Sequence, residues 1–322
     1  AYVPNFSGIL PTITGERLRS VLNRMPDGKS KGYDSWAPNE LRALTDAHLE
    51  ALAEILNECE SQSRWPRALG RPIIALIPKA GADDEGGMRP IALLPYVYRL
   101  WMCVRKRDVQ NWTSSLHGGK PKAAEALAWE LAARGEAARI SKKFFTAAFL
   151  DCSKCYERVD QKLAHDRAVA SGCSPVIANL AMDMYSRDRI VQVHGSHSET
   201  VEVNRGMLAG CGFAVHFLKA IIISILEGSP VEARDYVDDI TLHNCENSEA
   251  QLTLSMQGAI DEVSKSLESI KQKVNDEKEQ LFIQNASVKK LWKKIRPDYK
   301  GAISACVKDL GVDVRAPWLS SV

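Results

Sequence analysis

Apolar positions recur every three or four residues along several parts of the chain, which is the period of an amphipathic helix. The clearest cases are residues 39–60, an Ala-rich stretch at 123–139 and the stretch that begins at Leu252. Two short, continuous apolar runs, 73–77 and 144–150, have the length of buried strands. Because these helices and strands are interleaved without strict βαβ alternation, the pattern predicts a mixed α+β fold.

Other segments carry shorter patterns. Asp160 can cap a helix that starts after it, and alternation on both sides of Gly195 predicts a β-hairpin. Residues 213–226 are apolar on nearly all sides and predict a buried helix, but they are too few to cross a bilayer, which needs about 20 residues. We therefore expect no membrane partner. Residues 1–35 show no clear period and predict a loosely structured start.

Composition places the chain among folded globular proteins, since 45% of its 322 residues are hydrophobic and 25% are charged. Its 42 Lys and Arg residues nearly balance 40 Asp and Glu residues, so the net charge of +2 demands no polyanionic partner. The exception is the stretch 289–300, with six basic residues and a single acid, Asp298. This stretch is either a nucleic-acid-binding surface or a solvated helix face. The eight cysteines are spread along the chain, which favours reduced thiols in an intracellular protein.

The sharpest candidate for chemistry is the acid pair Asp238 and Asp239, which short apolar segments flank as at the tip of a tight hairpin. Adjacent carboxylates repel each other, and a Mg²⁺ ion, which prefers oxygen ligands, would relieve that repulsion. The alternative is a solvated turn, since Asp is common in turns. Asp151 follows the predicted strand 144–150, so it can converge with the pair on two metal ions about 3.5–4 Å apart.

These acids lie in segments that resemble the motifs of reverse transcriptases. Residues 236–239 (Tyr-Val-Asp-Asp) resemble the catalytic box, and Asp151 with Tyr156 five residues later resembles the first-acid motif. Further segments resemble other motifs of the family, in the family's order: 32–34 (Gly-Tyr-Asp), 76–81, 88–94, 205–211, 275–278 and 308–312. Within the family, the motifs resemble those of non-LTR retrotransposons and group II introns.

The resemblance covers about residues 32–314 and implies a right-hand polymerase fold, with an antiparallel palm sheet backed by helices and a mixed fingers region. It implies an N-terminal extension at 1–31, fingers with part of the palm at 32–142, and the palm with the primer-grip segment at 143–322. We expect the thumb to be largely absent from this stretch of sequence.

The resemblance also implies a role for individual residues. The implied ligands of two Mg²⁺ ions, for which Mn²⁺ could substitute, are Asp151, Asp238 and Asp239, with the Cys152 carbonyl completing a site. Lys278 is implied as the general acid for the pyrophosphate leaving group. The implied nucleotide contacts are Lys79 and Arg89 on the triphosphate, Tyr156 against the sugar, and Ala209 and Gly210 in the pocket. The implied primer and template contacts are Gly206, Leu310, Gly311, Lys293 and Lys294.

The implied activity is RNA-directed DNA polymerisation, in which a primer 3′-hydroxyl is extended with deoxynucleoside triphosphates. Tyr156 argues against an RNA-dependent RNA polymerase, because a bulky aromatic residue at this position excludes the 2′-hydroxyl in the family. The implied partners are an RNA template, a DNA or RNA primer, and the rest of a larger retroelement polyprotein, which would be nuclear in a eukaryote. Ala209 stands where the family has a nucleotide-contacting glutamine, so a catalytically decayed or domesticated RNA-binding module is the alternative.

Overall fold

A computed structural model of the chain describes residues 9–79, 87–114, 124–309 and 312–315. The α-helices of these residues are α1 (Gly15–Leu22), α2 (Pro38–Arg42), α3 (Asp46–Gln62), α4 (Tyr96–Ser114), α5 (Ala124–Ile140), α6 (Cys155–Arg158), α7 (Gln161–Ala170), α8 (Pro175–Tyr185), α9 (Ala214–Leu226), α10 (Glu249–Ser269) and α11 (Ala286–Ile295). The strands are β1 (Ile73–Pro78), β2 (Met88–Leu93), β3 (Phe144–Asp151), β4 (Arg189–Val193), β5 (Ser196–Val201), β6 (Glu232–Tyr236), β7 (Asp239–Glu246), β8 (Gln280–Ile283), β9 (Ala302–Ser304), β10 (Cys306–Asp309) and β11 (Val312–Arg315).

The first of two compact units comprises residues 1–118 and 156–221. Its four-stranded sheet has the order β2-β1-β4-β5. Strands β1 and β2 form an antiparallel hairpin in which Ile77 lies opposite Arg89, and β4 joins β1 in parallel. The predicted hairpin around Gly195 is confirmed, with β4 and β5 antiparallel to each other.

Aromatic side chains form the core of the first unit. Trp65, Tyr98, Trp101 and Phe213 are all nearly inaccessible to solvent, and the ring centroids of neighbouring members lie 5.1–5.5 Å apart. Edge and tilted contacts at these distances stabilise aromatic pairs beyond their buried area. They join the segment after α3 to α4 and to the residue before α9.

The second unit comprises residues 119–155 and 222–322. Its five-stranded sheet has the order β6-β7-β3-β8-β9, and all neighbours are antiparallel except β8 and β9. Helix α10 packs against β7 and β3, and α5 packs against β3. Buried Leu131, Phe145, Phe282 and Val307 fill the core on the α5 side. An antiparallel sheet backed by helices is therefore confirmed, and with it the mixed α+β class.

Most predicted elements are present. The runs 73–77 and 144–150 are β1 and β3, and the Ala-rich stretch is α5. The carboxylate of Asp160 caps α7 by accepting a hydrogen bond from the amide of Leu163 at 2.9 Å. In the described part of the chain, no helix is both long and apolar enough to cross a membrane.

Two predictions near the start of the chain are wrong. Residues 39–60 are not one helix, because α2 ends at Arg42 and a new helix begins at Asp46, with the Thr45 hydroxyl capping it. The first 35 residues also contain a regular helix, α1. Thr14 caps α1, and Leu18 and Leu22 are fully buried.

Candidate active site

The acid pair lies at the tip of the β6–β7 hairpin, as predicted. Tyr236 pairs with Asp239, so Val237 and Asp238 form a two-residue turn. Val237 has φ of 62°, while Asp238 is not among the residues with positive φ. Positive φ at the first turn position alone matches a type II′ turn, whose twist suits a hairpin and which normally places glycine there. A β-branched residue in this region is strained, so the turn that carries Asp238 is held in a costly conformation.

Strand register brings Asp151 to the same place. Asp151 ends β3 directly opposite Asp239, the first residue of β7. Side chains directly opposite each other in an antiparallel pair share one face of the sheet, with Cβ atoms about 4.5–5.5 Å apart. Asp151 and Asp239 therefore face each other. Asp238 directly precedes Asp239 and lies in the turn. We refer to Asp151, Asp238, Asp239 and Lys278 together as the catalytic edge.

Lys278 reaches the catalytic edge from the segment before β8. Its ammonium Nζ lies 2.9 Å from Oδ2 of Asp151. The two segments are also joined through the backbone, because Ser153 N donates to Lys273 O and Asn275 N donates to Asp151 O, both at 2.8 Å. The bonds flank Cys152 and use neither its N–H nor its carbonyl.

The donor set at the catalytic edge fits magnesium. Mg²⁺ takes oxygen ligands and is usually held by one or two carboxylates together with water and substrate phosphates. Asp151 and Asp239 supply facing carboxylates, and the ion pair with Lys278 shows that a cation is stabilised beside Asp151. Within the described residues, no group of three or more His, Cys, Asp or Glu side chains is gathered closely enough to enclose a metal.

Lys79 and Arg89 lie on the β1–β2 hairpin of the first unit. Lys79 directly follows β1, where its N–H donates to Gly87 O at 2.9 Å, and Arg89 lies opposite Ile77. Since side chains alternate along a strand, Lys79 lies on the same face as Ile77 and Arg89. Both basic side chains are exposed. The hairpin therefore presents two cations on one face.

The segment 205–211 resembles the family's nucleotide-pocket motif and is called the pocket motif here. Main-chain hydrogen bonds join it to its neighbours. Ala92 N on β2 donates to Ala209 O at 2.6 Å, and Met207 N donates to Tyr156 O at 2.8 Å. Gly210 has φ of 106°, a conformation that favours glycine. The pocket motif is thus held both to the strand that carries Arg89 and to the helix that carries Tyr156.

Gly206 has a structural reason to be glycine. Its φ is 88°, and a Cβ there would lie 2.9 Å from Glu157 O. Its carbonyl accepts hydrogen bonds from Gln161 Nε2 at 2.9 Å and from an Arg189 guanidinium nitrogen at 3.2 Å. Gln161 and Arg189 carry no motif of their own, so the sequence pattern missed these supports.

A second support that the sequence pattern did not predict is the contact of Tyr98 with Cys211, the last residue of the pocket motif. The Tyr98 hydroxyl lies 3.5 Å from Cys211 Sγ, although 113 positions separate the two residues. Burial raises the pKa of both Cys211 and Tyr98, so both stay protonated and neutral at physiological pH. The contact joins the motif to α4, the helix that carries Tyr98.

The predicted primer and template residues fall in different places. Lys293 and Lys294 lie in the last turn of α11 and are exposed. Leu310 and Gly311 lie outside the described residues, between β10 and β11, which pair from Cys306 opposite Arg315 to Asp309 opposite Val312.

Comparison with known proteins decides the family. The sequence profile of the family described as "Reverse transcriptase (RNA-dependent DNA polymerase)" matches residues 77–311, which is most of the chain. The chain belongs to the reverse transcriptase family. The matched range contains every site residue predicted above.

The fold of this reverse transcriptase domain is also seen in a solved structure. An apo telomerase from Candida tropicalis, truncated from its C-terminal domain, superposes with a TM-score of 0.55 at 15% sequence identity. The likeness covers 83% of this chain and 60% of the telomerase chain. At this identity it shows a shared right-hand polymerase fold. A search of curated proteins finds no match.

Proposed function

We propose that this chain is the polymerase core of an RNA-directed DNA polymerase, which extends a primer 3′-hydroxyl along an RNA template with deoxynucleoside triphosphates and two Mg²⁺ ions. The observation that carries the proposal is the register of Asp151 opposite Asp239, beside the strained turn at Asp238. Facing carboxylates at the meeting ends of two strands supply the oxygen donors that nucleotidyl transfer needs.

At the catalytic edge, Asp151, Asp238 and Asp239 would hold the metal ions. Bound there, Mg²⁺ lowers the pKa of the attacking hydroxyl and offsets the charge on the phosphates. The Nζ atom of Lys278 lies 2.9 Å from Oδ2 of Asp151, within reach of the same reaction centre. We assign it the proton that the pyrophosphate leaving group takes up, a contribution of about 10²–10⁴-fold for a general acid.

In the first unit, Lys79 and Arg89 would bind the triphosphate, the guanidinium through paired hydrogen bonds and the ammonium as a point charge. Tyr156 would select deoxynucleotides by excluding the 2′-hydroxyl. Ala209 and Gly210 would line the pocket. These roles rest on the positions of the residues within the family's motifs and on the shared face of Lys79 and Arg89.

We further propose that the domain comes from a retroelement of the non-LTR or group II intron type. The order of its motifs and the amino acids within them support this subtype. In that setting the domain works inside a cell, within a larger polyprotein, on an RNA template and a DNA or RNA primer. If the retroelement is eukaryotic, the location is the nucleus. The fingers would extend over 32–142 and the palm over 143–322.

Primer extension tests the proposed function. The chain is incubated with a labelled primer on an RNA template, Mg²⁺ and either deoxynucleotides or ribonucleotides, beside Asp238→Asn. Deoxynucleotide addition that the variant lacks is the expected result. No addition by a folded protein that still binds the duplex would overturn the proposal.

One observation favours a second candidate, the catalytically decayed RNA-binding module. Ala209 offers only a methyl group where the family has a glutamine, although its main chain keeps the bond to Ala92. If Ala209→Gln created activity that the natural chain lacks, the decayed module would be the better description.

A further inference from the structure

A groove lies between helices α1 and α4 in the first unit. Its volume is about 610 Å³, within the range of protein binding clefts. Four of the side chains that line it are cationic, namely Arg17 on α1, Arg24 just after α1, and Lys106 and Arg107 on α4. Among the described residues that line the groove, none is acidic. The groove therefore carries a concentrated positive charge, although the whole chain is nearly neutral.

The cations on the α4 side are not neutralised by the acid that follows them. Asp108 lies 3.7 Å from the guanidinium of Arg105, which is itself fully buried and paired with Glu60. Lys106 and Arg107 are exposed, and within the described part of the chain neither an ion pair nor a hydrogen bond involves their side chains. A cleft lined by charges of one sign concentrates ligands of the opposite sign, so this groove favours an anionic partner.

The floor of the groove is apolar. Val21 and Val104 are nearly inaccessible to solvent, Met25 and Cys103 are half-buried, and all four line the groove. On α4 the lining positions 103, 106, 107 and 110 follow the i, i+3, i+4, i+7 spacing of one helical face. A groove between two helices with an apolar floor and a charged rim is the kind of surface that binds an amphipathic helix.

The same lining suits nucleic acid poorly. Among the described residues that line the groove, none is aromatic, so unpaired bases find no stacking platform. The apolar floor offers no donor to a phosphate backbone, which charged and polar groups bind. Cations beside an apolar floor instead match a helix that has aspartates or glutamates on one side and aliphatic side chains on the other.

We propose that the α1–α4 groove binds an acidic amphipathic helix of a partner polypeptide. Acidic side chains of the partner pair with Arg24, Lys106 and Arg107, and its aliphatic side chains cover the apolar floor. The lining positions of α4 extend about 10 Å along the helix axis, so the bound segment needs about two to three helical turns. The inference goes beyond the proposed function, since it uses no residue of the catalytic edge or of the pocket motif.

Fluorescence anisotropy on the full chain tests the groove. The probe is a fluorescein-labelled peptide of about 12 residues, in which leucines recur at i, i+3, i+4 and i+7 and glutamates fill the other positions. One control peptide has lysine in place of every glutamate. The other keeps the composition of the probe but has a shuffled order that removes the apolar face. We expect the natural chain to bind the acidic amphipathic peptide at least about tenfold more tightly than either control.

Charge reversal on the chain shows whether the groove is the binding site. K106E/R107E should bind the acidic peptide about tenfold more weakly or worse. It should also bind the lysine peptide more tightly than the natural chain does, a gain that an unfolded variant would not show. The matched control is K142E/K143E, an adjacent exposed pair of lysines in the second unit, which should bind both peptides as the natural chain does.

No binding of the acidic peptide would overturn the proposal. Equal binding of the acidic and shuffled peptides, or equal effects of the two variants, would also overturn it, because bulk charge would then explain the affinity. Two further ligands are titrated, a single-stranded RNA oligonucleotide and phosphatidylserine–phosphatidylcholine vesicles. If either lost affinity in K106E/R107E while the acidic peptide failed to compete with it, the groove would belong to nucleic acid or to a lipid surface, and the proposal would fall.

Discussion

Val237 is a β-branched residue held at φ of 62° in the turn of the β6–β7 hairpin, where such a conformation costs about 1–3 kcal/mol. We predict that Val237→Gly raises the free energy of unfolding by about 1 kcal/mol, since relief of strain outweighs the added freedom of glycine. The same variant should add nucleotides more slowly, because a relaxed turn holds Asp238 less firmly. Urea unfolding and single-turnover extension measure the two effects.

Val237→Ala is the control for this prediction. Alanine keeps the Cβ that makes positive φ costly, so this variant should gain less stability than glycine and keep more activity. A Val237→Gly variant that is less stable than the natural chain would show that the turn is not strained.

Tyr156 gives a second prediction at the scale of one residue. If its ring excludes the 2′-hydroxyl, Tyr156→Ala should raise the incorporation of ribonucleotides relative to deoxynucleotides by about 10- to 100-fold, the range for discrimination by the size of one group. Tyr156→Phe keeps the ring and should keep the selectivity. Competition assays with matched nucleotide pairs measure the ratio, and an unchanged ratio in the alanine variant would remove Tyr156 from the pocket.

At this scale, the positions of the candidate residues were easier to predict than the contacts that support them. Asp151, Asp238 and Asp239 stand out because each follows or interrupts a local apolar pattern. The Lys278–Asp151 pair joins residues 127 positions apart, and only the strand register shows it. For Gly206, the need for glycine comes from the close carbonyl of Glu157, which no local pattern reveals.

Among the secondary-structure elements, the root of the β6–β7 hairpin gives a prediction about pH. Burial, followed by Arg134 and Arg234 and opposed by Glu130, lowers the pKa of His243 from 6.5 to about 4. The nearby Glu232, 3.8 Å from its Nε2, is already paired with Arg134. Between pH 6.5 and 4 the folded chain binds fewer protons than the unfolded chain, so stability should fall as pH drops, by up to about 3 kcal/mol.

The His243→Gln variant checks this prediction. Glutamine does not titrate, so urea unfolding from pH 7 to pH 4 should show a shallower loss of stability than in the natural chain. His216, whose pKa burial also lowers to about 4, keeps its own part of the loss in both proteins. Parallel curves for the two proteins would contradict the account.

Most helices and strands with a long pattern were predicted, although the pattern at 39–60 runs across the break between α2 and α3. Elements that depend on distant partners were not predicted. Helix α10 and strand β3 carry their own periodicity. Helix α1 has only 8 residues, and it is held by Asn57 and Glu50, which hydrogen-bond Ile13 and Gly15. Tertiary contacts of this kind override a weak local pattern.

On the scale of the whole molecule, the chain passes between its units at residues 118, 155 and 221. Each unit is therefore assembled from separate stretches of sequence, and its membership depends on contacts such as Trp65 with Trp101 and Phe145 with Phe282. The order of the family's motifs predicted the fold class, but it did not predict these groupings. The proposed division into fingers and palm stays a prediction.

The central claim is that the facing carboxylates of the catalytic edge carry the reaction. Single-turnover addition of a deoxynucleotide on an RNA template tests it most directly, with Asp151→Asn compared against Asp235→Asn. Asp235 lies on the same hairpin but pairs with Ile240, so alternation places it on the opposite face from Asp239. We predict that Asp151→Asn lowers the rate by about 10³-fold or more, while Asp235→Asn changes it by less than about threefold. A natural rate in Asp151→Asn, or an equal loss in both variants, would contradict the account.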